Sequence, residues 1–133
     1  MAHDTKTTIK RTRVISPVSP SATGTISGQV IDTSTYRANT FVIAAGAQTT
    51  TGITVTPVIM EGAATGSLTS AANSDLIGTE AAAALSGTAG ANGVSTIGYI
   101  GSSRYISCNL IVTAAATGVY SVTCDQSAAK GPV

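Results

Sequence analysis

Apolar and polar positions alternate most cleanly near the C-terminus, across residues 94–125. The pattern predicts three strands there: residues 94–100, 104–113 and 119–125. A Gly101-Ser102-Ser103 turn separates the first two, and a loop at 114–118 separates the last two. In the middle strand Ile106, Cys108, Leu110 and Val112 fall on one face, and Ser107, Asn109, Ile111 and Thr113 on the other. In the last strand Tyr120, Val122 and Cys124 share a face. A hairpin centred on Ala116 would set Val112 opposite Tyr120, Leu110 opposite Val122 and Cys108 opposite Cys124. All six would then lie on one buried face, and a slip of one residue would expose them.

The same period of two recurs upstream. Residues 14–18 form a short strand with Pro17 and Pro20 at its end, which argues for an edge position or a strand terminus. Residues 25–31 alternate through Ile26, Gly28 and Val30. Asp32 opens a turn over 32–35 in which its carboxylate accepts backbone N–H bonds. Residues 36–45 carry Phe41, Val42 and Ile43. Residues 53–61 set Ile53, Val55, Pro57 and Ile59 on one face, with Pro57 pointing to an edge or a bulge. Residues 62–93 are rich in Gly, Ala, Ser, Thr and Asn. They offer a short strand or anchored loop at Asp75-Leu76-Ile77, and a stretch from Thr79 to Gly87 with a capping Thr but too short to hold a helix unaided. Short strands punctuated by Gly, Pro, Ser and Thr predict an all-β domain of seven or eight strands. The expected form is an antiparallel β-sandwich, jelly-roll-like or Greek-key, over residues 14–133, preceded by a basic N-terminal arm, residues 1–13.

Composition sharpens this. Of the 133 residues 43% are hydrophobic, but 21 are alanine, there is one Phe and there is no Trp, so the core is expected to be lean. A lean core in a chain of positive mean hydropathy suggests that other subunits supply part of the stability, as in a homo-oligomer, trimer or dimer. Net charge is +1 with 10% charged residues, which argues against a general nucleic-acid binder. No apolar run reaches membrane-spanning length. Residues 1–13 carry Lys6, Lys10, Arg11 and Arg13 with no apolar core, so no secretory signal is read there and synthesis in a cytoplasm is expected.

Candidate chemistry is sparse. The one histidine, His3, sits in the terminal arm, which removes nucleophile–histidine triads and histidine zinc sites. Cys108 and Cys124 are too far apart in sequence for a zinc knuckle and read as small buried apolar groups, reduced and on adjacent strands. The carboxylates Asp4, Asp32, Glu61, Asp75, Glu80 and Asp125 have no calcium-loop spacing. The glycine-rich 87–93 stretch lacks the ending of a phosphate loop. Tyr36, Tyr99, Tyr105 and Tyr120 read as half-buried structural residues with wet hydroxyls. No catalytic residue, cofactor or metal is expected. Arg104 is expected to stack on Tyr105 or Tyr99, or to pair with Asp75 or Glu80.

One ordered set of segments carries a resemblance. It runs from Val30-Ile31-Asp32-Thr33 with Tyr36, through Phe41-Val42-Ile43 and Gly46, then a strand ending near Glu61, then Leu76-Ile77-Gly78-Thr79. It closes on Gly98-Tyr99-Ile100-Gly101-Ser102 followed by Arg104-Tyr105-Ile106. The set resembles small structural, head-region proteins of tailed bacteriophages. Where many of those have an acidic turn, this chain reads Met60-Glu61-Gly62-Ala63. The resemblance implies a non-enzymatic virion component. Its finest form is a capsid decoration, or cement, protein on the capsid outer surface, bound to the major capsid protein without direct contact to nucleic acid or membrane. A head-to-tail connector or tail component is one alternative, and a carbohydrate- or receptor-binding module another. Lys10, Arg11, Arg13 and Arg104 are the residues expected to meet a partner.

Overall fold

The computed structural model describes residues 9–129. Six long strands build it: β1 (Ile9–Val18), β4 (Tyr36–Ala45), β5 (Thr54–Gly62), β9 (Val94–Tyr99), β10 (Tyr105–Val112) and β11 (Tyr120–Ala129). Five short ones fill the gaps: β2 (Gly24–Ile26), β3 (Ile31–Asp32), β6 (Thr69–Ser70), β7 (Leu76–Ile77) and β8 (Leu85–Ser86). One sheet has the order β1-β11-β4-β9-β7. The other runs β2-β10-β5-β6, with β3 also on β10 and β8 also on β5. All pairings are antiparallel. The chain changes sheet at every link except β2–β3 and β5–β6, as a jelly roll does. The expected antiparallel sandwich is therefore the fold.

The number of strands exceeds seven or eight because one expected strand is broken and the 62–93 stretch adds the short β6 and β8. The 25–31 strand becomes β2 and β3, with Ser27 to Val30 bulging between them. Gly28 sits so close to the Cys108 carbonyl that a Cβ would overlap it. Its N–H donates to Asn109 Oδ1 at 3.0 Å, and Gln29 N–H donates to the Val14 carbonyl at 2.8 Å.

The C-terminal hairpin is corrected. Val112, Leu110, Cys108, Tyr120, Val122 and Cys124 are all buried, as the alternation required. Yet β10 and β11 do not pair. Cys108 lies opposite Ile59 on β5, and Cys124 opposite Phe41 on β4. The connection between them crosses from one sheet to the other instead of turning back. It is anchored on the way by Ala116 N–H to the Pro20 carbonyl, 2.8 Å. A fully buried face needs a second apolar face to cover it, and placing the two strands in opposite sheets supplies that cover.

Pro57 sits where the outer side of β5 has no strand, between β8, which meets Thr54 and Val55, and β6, which meets Met60 and Glu61. The Ile59 N–H on the same side donates to Glu80 Oε1 at 2.7 Å, so a carboxylate stands in for the missing ladder. Glu80 lies in a turn, not a helix, whose start is capped by Thr79 Oγ1 accepting from Ala82 N–H at 3.1 Å.

β1 begins well before residue 14. Ile9 to Arg13, expected as part of the arm, are laddered to β11 from Ile9↔Ser127 to Arg13↔Thr123. A register shift then places Val14 and Ile15, consecutive residues, both in the core. The arm's residues 1–8, His3 among them, lie outside the described residues. Buried polar side chains are each satisfied: among the described residues no buried polar side-chain atom lacks a partner. Gln48 shows how. It donates to Tyr120 Oη at 2.8 Å and accepts from Thr117 Oγ1 at 2.6 Å and Thr50 N–H at 2.8 Å, joining two loops.

Candidate partner-binding surface

Of the segments that carried the resemblance, those around Asp32, Tyr36, Glu61, Leu76, Tyr99 and Arg104 meet at one end of the sandwich, while Phe41 to Gly46 runs along β4 to the other end. β3 brings Asp32 opposite Tyr105 at the start of β10. From there the Arg104 guanidinium grips the Asp32 carboxylate at two points, Nε to Oδ1 at 3.3 Å and an Nη to Oδ2 at 3.1 Å. Asp32 Oδ1 also accepts from Ser34 N–H at 2.8 Å, the turn bond expected from the sequence. Hydrogen bonding from Arg104, then from the Ser34 backbone, holds the Asp32 carboxyl down at about 2. The guanidinium, whose own pKa is raised by the same bond, lies over the Tyr105 ring with its carbon 5.1 Å from the centroid. So Arg104 stacks on Tyr105 as expected, but its acid is Asp32 rather than Asp75 or Glu80. Sequence separation hid this, because β3 and β10 become neighbours only in the folded sheet.

Behind this pair the end is locked. Thr33 N–H donates to the Arg104 carbonyl at 2.7 Å, and Thr33 Oγ1 reaches the Ser103 and Arg104 carbonyls at 3.0 and 2.9 Å. The buried Tyr99 hydroxyl donates to Glu61 Oε2 and accepts from Ser103 N–H at 3.1 Å. Burial first, and Glu61 second, raise the Tyr99 pKa. Gly101 packs so tightly on the Tyr99 ring that a Cβ would strike its hydroxyl, which accounts for the second glycine of Gly98-Tyr99-Ile100-Gly101. Tyr99 and Tyr120, expected to keep wet hydroxyls, are 2% exposed and bond to Glu61 and Gln48 instead. Those internal partners come from distant strands, so alternation alone could not reveal them.

The basic residues of β1 reach the same end. Lys10 stands opposite Gln126, whose buried amide donates to the Asp32 carbonyl at 3.1 Å and to Asn39 Oδ1 at 2.8 Å. The Lys10 ammonium lies 5.7 Å from the centre of the Tyr36 ring. Arg11 forks onto Asp125, Nε to Oδ1 at 2.7 Å and an Nη to Oδ2 at 3.0 Å, with its side chain 68% exposed. Arg13 is exposed and enters no ion pair among the described residues. Lys10, Arg11 and Arg104 thus each contact an aromatic ring or an acid while their side chains remain exposed.

Among the described residues no three His, Cys, Asp or Glu side chains gather as metal ligands. Cys108 and Cys124 are free and buried, and burial pushes both thiols up to about 12, far from a reactive thiolate.

No protein-family model and no curated sequence matches the chain. Solved structures match its fold. The SPBc2 prophage-derived protein YomS superposes with a TM-score of 0.53 at 16% identity, over 90% of this chain and 93% of its own. The PBSX exported protein XepA gives 0.61 at 11% identity, over the whole of this chain and 41% of its own. A chain of the infectious bursal disease virus Gx strain structure gives 0.55 at 12%, over 92% of this chain and 32% of its own. At these identities the likeness is one of fold.

Proposed function

We propose that the chain is a non-enzymatic structural protein of a tailed-phage virion. Within that class we propose a decoration protein that binds the outside of the assembled shell through the basic, tyrosine-backed end of its sandwich. The observation that carries this reading is the shared jelly-roll fold of a prophage-derived protein of nearly the same extent, 93% of which is covered. Two further features support it. Several of the resemblance segments meet at one end of the sandwich, where Arg104 pairs with Asp32 and stacks on Tyr105. Lys10, Arg11 and Arg104 lie towards that end as exposed cations, suited to acidic side chains on a major capsid protein.

A ligand that binds only the assembled shell stabilises it by mass action. Particles lacking the protein are then expected to assemble but to release DNA at a lower temperature, and added protein to restore them. Labelling or imaging of purified particles tests the reading. Many copies over the shell support decoration. A few copies confined to the portal vertex or the tail would replace it with a connector or tail role, and absence from the particle would end the virion reading.

A further inference from the structure

The outer edge of β1 presents an unpaired stretch of ladder flanked by positive charge. Its free groups follow from the hydrogen bonds of the sheet. Ala45 N–H donates to the Gly93 carbonyl at 2.9 Å, and Gly46 N–H donates to the Val119 carbonyl at 2.7 Å. Odd residues of β4 therefore bond to β9, and even residues to β11. One strand further on, Tyr120, Val122, Cys124 and Gln126 of β11 bond to β1, where Cys124 and Gln126 meet Thr12 and Lys10. Ile9, Arg11 and Arg13 are left with their N–H and C=O groups turned away from the sheet. Past them the edge is closed, because the outward Val14 carbonyl accepts from Gln29 N–H at 2.8 Å. Among the described residues no strand lies beyond β1 in its sheet, and no backbone group meets those of Ile9, Arg11 and Arg13 on that side.

The side chains set what can pair there. Arg11 and Arg13 are exposed on the outer face of the sheet. Lys10 and Thr12 turn the other way, since their partners Gln126 and Cys124 are buried. No acid occurs anywhere from Ile9 to Ile31. Asp125 neutralises Arg11, whereas Arg13 enters no ion pair among the described residues. Charge on an edge strand opposes pairing with a like edge. Two copies of β1 laid together would set Arg11 and Arg13 against themselves. An acidic strand meets the reverse condition, because cross-strand pairs of opposite charge stabilise a ladder.

We infer that β1 takes up an extended acidic segment of a partner protein as a sixth strand of this sheet. The added strand bonds to Ile9, Arg11 and Arg13 and stops at Gln29. An Asp or Glu stands opposite Arg13 on the outer face. The residue opposite Thr12 turns toward the core side and is uncharged. Backbone bonds supply the affinity, and the acid at Arg13 fixes the register and selects the segment. The inference rests on the virion reading only for the identity of the acidic partner, and the isolated chain suffices to test it. Failure of the test below leaves the virion reading standing with a different mode of contact. Absence of the protein from particles would end that reading and leave the edge as it is.

The test uses the full chain in solution and an end-blocked peptide of alternating Glu and Val that begins and ends with Glu. Hydrogen exchange at the Ile9, Arg11 and Arg13 amides is expected to be fast in the free chain and slowed by the peptide, with binding falling as salt rises. The same peptide with Lys in place of Glu is expected not to bind. Nor is one with Pro in place of the central Glu, which keeps the outer acids but loses a ladder donor. Arg13→Glu is expected to weaken the acidic peptide several-fold and to admit the Lys peptide. The inference is overturned if the acidic peptide leaves these amides unchanged, or if the proline peptide binds as well as its parent. Amides already protected in the free chain, by its own residues or by a second copy, overturn it too. The peptide comparisons need no variant, so they decide alone if Arg13→Glu destabilises the fold.

Discussion

The Tyr99 hydroxyl on β9 donates to the Glu61 carboxylate on β5, tying one sheet to the other at the end that gathers Asp32, Arg104 and Tyr105. Tyr99→Phe leaves Glu61 and the Ser103 N–H without this partner in a half-dry site. The expected loss is about 1–3 kcal/mol in a denaturant titration. Gly101→Ala drives a methyl into the same hydroxyl, with an expected cost of about 1–3 kcal/mol. If the Gly101→Ala penalty vanishes in a Tyr99→Ala background, the clash is confirmed as its source.

The Asp32 carboxyl lies at about 2, chiefly because Arg104 hydrogen-bonds to it. A depressed carboxyl contributes stability above its ordinary value of 3.8 and loses it as pH falls through about 2. The pair is solvent-exposed, so the sensitive readout is the titration of Asp32 itself. Carbon-13 NMR is expected to place its midpoint near 2, and Arg104→Ala to return it toward 3.8. Arg104→Lys is expected to give an intermediate value, because an ammonium cannot make the two-point contact.

Cys108 and Cys124 are expected to remain free thiols that react with a thiol reagent only after unfolding. Their pKa values are raised by burial from 9.0 to about 12. The sign is that of a group protonated more strongly in the folded state. Its contribution is complete below about pH 9 and is lost as pH rises toward 12. Alkaline unfolding monitored by far-ultraviolet circular dichroism should therefore shift to higher pH in a Cys108→Ala, Cys124→Ala variant, relative to that variant's own stability at neutral pH. Cys108→Ser is expected to cost about 1–3 kcal/mol by burying an unpaired hydroxyl.

A chain starting at Val14 loses the Ile9-to-Arg13 ladder and exposes the edge of β11. Its melting temperature is expected to fall, and its tendency to aggregate to rise. Replacing Lys10 and Arg13 by Ser removes charge without removing the ladder, and is expected to leave the melting temperature close to that of the parent. Equal melting of the truncated and parent chains would show that residues 1–13 act only as an arm.

Much of the fold was legible as periodicity. The alternation through Ile106, Cys108, Leu110 and Val112 named a buried face correctly, and Ile53, Val55, Pro57 and Ile59, which it set on one face, are buried together. Tyr36–Ala45 appears with the bounds the pattern predicted. At the candidate site, the Asp32 turn and the stacking of Arg104 on Tyr105 were readable because both are local. The pairing of Arg104 with Asp32, the lock of Tyr99 on Glu61 and the amide bridge of Gln126 were not, because each joins residues far apart in sequence.

From its sequence alone, the chain's two-residue period determined which side chains turn inward, since a strand cannot change that parity without a bulge such as the one at Val14. It did not determine which strand lies beside which. The ladder is made of backbone groups that every residue carries, so alternation fits many partners equally well. Only packing the two sheets chose among them. It sent β10 and β11 to opposite layers, so that Cys108 and Cys124 reach one core from different sheets.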